Sequence, residues 1–100
     1  MNTFEQIPQQ PQEEKEQMEI TNTATFQDAL KSGGLKEAAV WLDQVKSKHN
    51  ERWLDHRSRE LMKALCEAGR LDEAEKYVDD AKDEEGREGR RKKIERLRSQ

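Results

Sequence analysis

The sequence predicts an all-α fold: two consecutive antiparallel helical hairpins followed by a short basic C-terminal helix. Three observations carry that expectation. One signature is written twice, 36 residues apart and without a gap: Gly33, Leu35, Glu37, Ala38, Leu42, Val45 and Lys46 recur as Gly69, Leu71, Glu73, Ala74, Val78, Ala81 and Lys82. Apolar residues around both copies follow helical spacing. No run of alternating β-branched residues argues for a strand.

The expected organisation is a disordered acidic, glutamine-rich tail over residues 1–22, a helical repeat domain over 23–86 and a basic helix over 87–100. Apart from Phe4, Ile7, Met18 and Ile20, the tail offers little apolar surface to offset chain entropy. Its two readings are a solvated tail and a short docking segment. A first helix is expected from about Thr25, where Thr25 and Asp28 have capping-box spacing, to Gly33-Gly34. The second, over residues 35–48, places Leu35, Ala38, Leu42 and Val45 on one stripe.

Asn50 is the expected N-cap of the third and longest helix, over residues 51–68, and Gly69 closes it. Its stripe is Leu54, Leu61, Met62 and Leu65, with Ser58 as a small gap. The fourth helix, over residues 71–83, turns Leu71, Ala74, Val78 and Ala81 inward. Acids crowd its last turns, which is unfavourable at the negative end of a helix dipole. Gly86 and Gly89 are expected to loosen the next segment. The basic helix then starts near Arg90, with only Ile94 and Leu97 as an apolar edge and hence weak docking.

The doubled signature resembles the tetratricopeptide repeat. That resemblance rests on Gly33, Ala38, Leu42 and Val45, and again on Gly69, Ala74, Val78 and Ala81. The stretch around Cys66, Gly69 and Ala74 is also similar to the related pentatricopeptide unit. The resemblance implies helical hairpins with a small residue where helices cross, and a concave groove near Gln27, Lys31, Arg59, Lys63 and Glu67 that would hold a peptide. Departures are a period of 36 instead of about 34, Ser58 in place of an aromatic, and Phe26 and Met62 in place of small residues. Two units are too few for a base-per-repeat RNA code.

Charged residues make up 41% of the chain and apolar ones 31%, so the core must be small. The net charge of −3 is segregated: −4 over residues 1–20, +2 over 21–70, −6 over 71–86 and +5 over 87–100. No stretch is apolar enough to span a membrane, and no basic-then-apolar leader is visible. Cys66 stands alone, which fits a reducing cytoplasm.

Trp41 and Trp53 lie off the apolar stripes. Either they wrap the core edge or they anchor a partner, since tryptophan is enriched at binding hot spots. Val40 points the same way as a contact surface near Trp41 would require. The candidate protein-binding residues are therefore Trp41, Trp53, Arg57, Arg59 and Lys63. Arg87, Arg90, Arg91, Lys92, Lys93 and Arg96 are candidates for phosphate or acidic-partner contacts. They serve equally as a solvated face that offsets the acids before them. No aromatic is interleaved to stack on bases.

His49 and His56 are read as surface residues, because no Cys/His spacing suggests a metal. Cys66 is read as a small core residue. With no catalytic motif, the expectation is a non-catalytic interaction module without cofactor, an adaptor or an inhibitor of a larger assembly. Its partner would be another protein or a second copy of the chain. A nucleic-acid-associated protein with a basic arm is the alternative, and no membrane is involved.

Overall fold

In the computed structural model, residues 19–100 are described, and all regular structure among them is helical. The expected tail lies, up to residue 18, outside the described residues. Ile20, just inside them, packs against the core.

Helix α1 spans Thr23–Ser32 and α2 spans Leu35–Val45, with a 3-10 turn at Lys46–Lys48. Helix α3 spans Glu51–Glu67 and α4 only Leu71–Ala74, with a 3-10 turn at Glu75–Tyr77. Helix α5 spans Glu84–Arg98. Packing follows chain order: α1 on α2 and α3, α2 on α3, α3 on α4, and α4 on α5.

Two turns do the same job in the same conformation. Gly33 and Gly69 close α1 and α3 at φ +89° and +76°, a left-handed backbone that glycine adopts without a Cβ penalty. In both, the next amide reaches five residues back: Gly34 N–H donates to Ala29 O at 2.8 Å, and Arg70 N–H to Leu65 O at 2.9 Å. This is the Schellman closure, which satisfies carbonyls that a helix end leaves free. Gly34 and Arg70 then start the following helices at φ −81°, ψ 54° and φ −98°, ψ 65°. Five residues beyond each glycine, Ala38 and Ala74 are both 0% exposed. Each sits where the helices press together.

One core runs through the molecule. Phe26, Leu42, Leu61, Leu65 and Ile94 are fully buried, each contributing about 1.5–3 kcal/mol by leaving water. Trp41, Trp53, Leu54, Leu71 and Leu97 pack against it from the edge.

Four expectations need correction. Helix α1 begins two residues earlier than expected, because Asn22 caps it. The Asn22 Oδ1 accepts the Thr25 N–H at 2.9 Å, and Thr25 Oγ1 accepts the Asn22 N–H at 3.0 Å. The capping box is thus Asn22/Thr25, not Thr25/Asp28.

The fourth helix does not reach residue 83. In a continuing helix the Tyr77 carbonyl would accept from Ala81, and the Lys82 amide would donate to Val78. Instead Arg90 Nη1 donates to the Tyr77 carbonyl at 2.7 Å, and Asp55 Oδ1 accepts the Lys82 N–H at 3.1 Å. Other partners take the helical bonds.

The basic helix starts at Glu84, so the expected boundary between 86 and 87 falls inside α5. Asp83 caps it, accepting the Gly86 N–H at 2.8 Å. Glu84 and Glu85, unfavourable at the end of one helix, occupy the favourable first turn of the next. Weak docking of α5 is the fourth correction. Ile94 is buried, and Arg90, expected at the surface, is only 6% exposed.

Candidate functional site

Aromatic residues form a ladder from the core to one edge of the molecule. The Phe26 ring lies 5.5 Å from Trp41, and Trp41 lies 6.0 Å from Trp53 at 62°, close to the edge-on arrangement that aromatic quadrupoles favour. His49 stacks on Trp53 at 3.7 Å. The Trp53 Nε1–H donates to Thr23 Oγ1 at 3.3 Å, tying the start of α3 to the start of α1. Both tryptophans are half-buried. Their main contacts are internal.

On α2 the inward stripe of Leu35, Ala38 and Leu42 leaves Val40 pointing out. It is 50% exposed, the one large apolar side chain so placed among the described residues. Shallow grooves open on either side of it. One, of about 350 Å³, is lined by Ile20, Lys36, Glu37, Val40, Trp41 and Gln44. The other, of about 380 Å³, runs past Ala39 and Val40 to Leu65, Arg70 and Tyr77. Tyr77 forms the inner wall, and burial pushes its phenol up to about 12, with Asp43, Asp80 and Glu73 adding to the rise.

A polar centre lies across α3 from the ladder, where that helix meets α5. Arg90 Nη1 donates to Ser58 Oγ at 2.8 Å, and Nη2 donates to the Asp55 carbonyl at 2.9 Å and to Asp55 Oδ1 at 3.2 Å. Asp55 Oδ2 accepts from Arg59 Nη2 at 3.0 Å. Burial pulls the Arg90 guanidinium below the usual arginine value, and the Asp55 charge pulls it back up. Both carboxylate oxygens of Asp55 are already engaged. The centre has no free acid or base and works as a structural clasp between α3, the segment after α4, and α5.

The remaining sequence candidates divide by what they touch. Arg57 pairs with Glu60 at 3.2 Å, and Glu60 also accepts from Gln27 at 3.0 Å, so these residues join α3 to α1. Arg59 is held by Asp55, although its side chain is 61% exposed. Arg87 pairs with Glu84, and Arg91 with Glu88. Lys63, Lys92 and Arg96 are exposed, Lys93 is half-buried, and none of the four makes an ion pair among the described residues. The structure therefore splits the basic terminus and removes Arg90 from the surface.

Sequence reasoning missed Asp55, and it placed Ser58 on the stripe as a small gap without seeing that its hydroxyl accepts from Arg90. Both sit on the inward stripe of α3, three residues apart, and two polar residues on an apolar stripe are a signal that a buried partner exists. Arg98, which bridges Asp72 and Glu75, was missed as well. No group of three His, Cys, Asp or Glu side chains converges as a metal site would require, among the described residues. None of their helices is long and apolar enough to cross a membrane. Comparison with protein families, with characterised proteins and with solved structures finds no match.

Proposed function

We propose that the chain is a small non-catalytic protein-interaction module, built from two tetratricopeptide-like hairpins, that docks a partner protein on the outer face of α2. The observation that carries this reading is Val40. An apolar side chain stands half-exposed between two grooves, with Lys36, Glu37, Asp43 and Gln44 around it. An apolar centre inside a polar rim is the anatomy of a protein interface. The matched glycine closures, and the buried alanines five residues beyond them, support the hairpin-repeat part of the reading. A module of this kind acts as an adaptor or as an inhibitor of a larger assembly.

Trp41 contributes by lining one groove, while Trp53 supports it from within. The nucleic-acid alternative loses support from the basic helix itself: of its seven basic side chains, Arg87, Arg90, Arg91 and Arg98 already hold carboxylates. The test is affinity capture with wild type, Val40→Glu and a distant control, Arg91→Gln. Val40→Glu should lose the partner that both others retain. Equal recovery by all three removes the α2 face from the account.

A further inference from the structure

The chain enters the described structure at the edge of the α2 face. Ile20, two residues before the Asn22 cap of α1, lines the same groove as Val40 and Trp41. Lys36 and Val40 also line the second groove, so the two grooves form one continuous face. Three of the six residues around the first groove, Ile20, Val40 and Trp41, are large apolar side chains, and none of the three is buried. A free anion or a nucleic-acid phosphate has no apolar surface to place on them.

Charge on this face is the second observation. Arg70 is held by Glu73, and Asp43 faces Lys46. Lys36 and Lys76 are exposed and pair with no carboxylate among the described residues. Of the carboxylates lining the two grooves, Glu37 alone is left to offset them.

The sequence before Ile20 matches both properties. Residues 1–20 carry five acids and one lysine, and Phe4, Ile7 and Met18 are the large apolar side chains between Met1 and Ile20. Met18 stands two residues before Ile20, the spacing that puts two side chains on one side of an extended chain. Ile7 stands 13 residues before Ile20, a length of chain that reaches roughly 40 Å. Helix α2, with 11 residues, is only about 16 Å long. Reach does not limit the contact.

We infer that the resident occupant of the α2 face is the chain's own N-terminal segment. Residues 4–18 lay Phe4, Ile7 and Met18 on Val40 and the grooves beside it, and set Glu13, Glu14 and Glu16 against Lys36 and Lys76. The inference rests on the reading of the α2 face as a docking surface, and it makes the segment the ligand that a partner protein must displace. A ligand tethered so closely acts at an effective concentration of about millimolar, well above that of a second copy of the chain at micromolar concentration.

The experiment is paramagnetic relaxation enhancement on the full chain, with a nitroxide attached at Gln9→Cys in a Cys66→Ser background. The Val40 methyl and Trp41 indole signals should lose most of their intensity, while the amides of Lys92 and Arg96 on α5 keep theirs. Phe4→Ser with Ile7→Ser should restore both signals, and Gln6→Ser with Gln10→Ser should not. Nitroxide-bearing chain mixed with isotope-labelled chain that carries no nitroxide should leave the signals of the latter sharp. With Cys66 intact and no nitroxide, Phe4→Ser with Ile7→Ser should still shift the Val40 and Trp41 resonances more than those of α5. Broadening that survives the loss of Phe4 and Ile7 would come from the tether alone, and broadening in the mixed sample would make the occupant a second copy. Either result overturns the inference, as do sharp Val40 and Trp41 signals in the nitroxide-bearing chain. Val40-dependent capture of a partner that survives such a failure would leave the α2 face standing and refute its resident occupant alone.

Discussion

The helix pairs α1–α2 and α3–α4 leave their glycine turns with the same backbone, yet α2 runs for 11 residues and α4 for 4. Neighbours make the difference. Around α2 lie the Phe26 and Trp53 rings, which pack on Trp41 and ask nothing of its backbone. Beside α4 lies Arg90, whose buried guanidinium needs acceptors and takes one from the main chain at Tyr77. The doubled signature thus determines a turn and a close crossing, while the partner packed beyond it determines how far the helix continues. The first pair is sealed by apolar contact. The second is sealed by charge.

That contrast can be broken most sharply at the clasp. Asp55→Ala strands a buried guanidinium and should cost about 3–5 kcal/mol in urea unfolding. The double variant Asp55→Leu with Arg90→Met should cost less than Asp55→Ala alone, because it leaves no uncompensated charge. A double variant weaker than the single one would mean that the ion pair itself, and not its desolvation, sets the stability of this end. Next in size, Ala38→Leu and Ala74→Leu should each lose about 1–3 kcal/mol by overpacking a crossing. A cost at one site only would show that the two crossings are not equivalent.

Gly33→Ala and Gly69→Ala should each destabilise by about 1 kcal/mol, since both glycines are left-handed and neither has a neighbour for a Cβ to meet. A large difference between them would contradict the matched turns. The smallest effect concerns pH. Tyr77 keeps its proton up to about 12 in the folded chain, whereas a tyrosine in the unfolded chain loses it near 10. The unfolded state then binds fewer protons, so this group's contribution to stability is complete below about pH 10 and falls as the pH rises towards 12. Tyr77→Phe should remove that part of the alkaline loss, read as the difference between the two unfolding curves.

Much of the helical framework was legible in the sequence. Helix α3 follows its Asn50 cap and Gly69 closure almost residue for residue, because both signals are local and strong. Helix α2 matches over Leu35–Val45 and tightens into a 3-10 turn where the expected helix would have continued. The end of α4 was not legible, because it depends on a side chain 13 residues further along reaching back to Tyr77. Likewise the acids at 83–85 read as a bad ending until the next helix is known to begin there. Of the candidate site, the outward position of Val40 and the flank position of Trp41 were visible from the helical wheel. The reassignment of Arg90 was not, since a basic run looks the same whether one member is buried or none.

The central claim is that α5 is clasped to the second helix pair through Arg90 and Asp55, so that residues 19–100 are one cooperative structure and not a domain with a loose basic arm. Native-state hydrogen exchange reads this directly. The amides of Arg90 and Ile94 in α5, and the Lys82 amide held by Asp55, should exchange with the same opening free energy as those of Leu61 and Leu65 in α3. Exchange of the α5 amides orders of magnitude faster than those of α3, with α3 still protected, would contradict it.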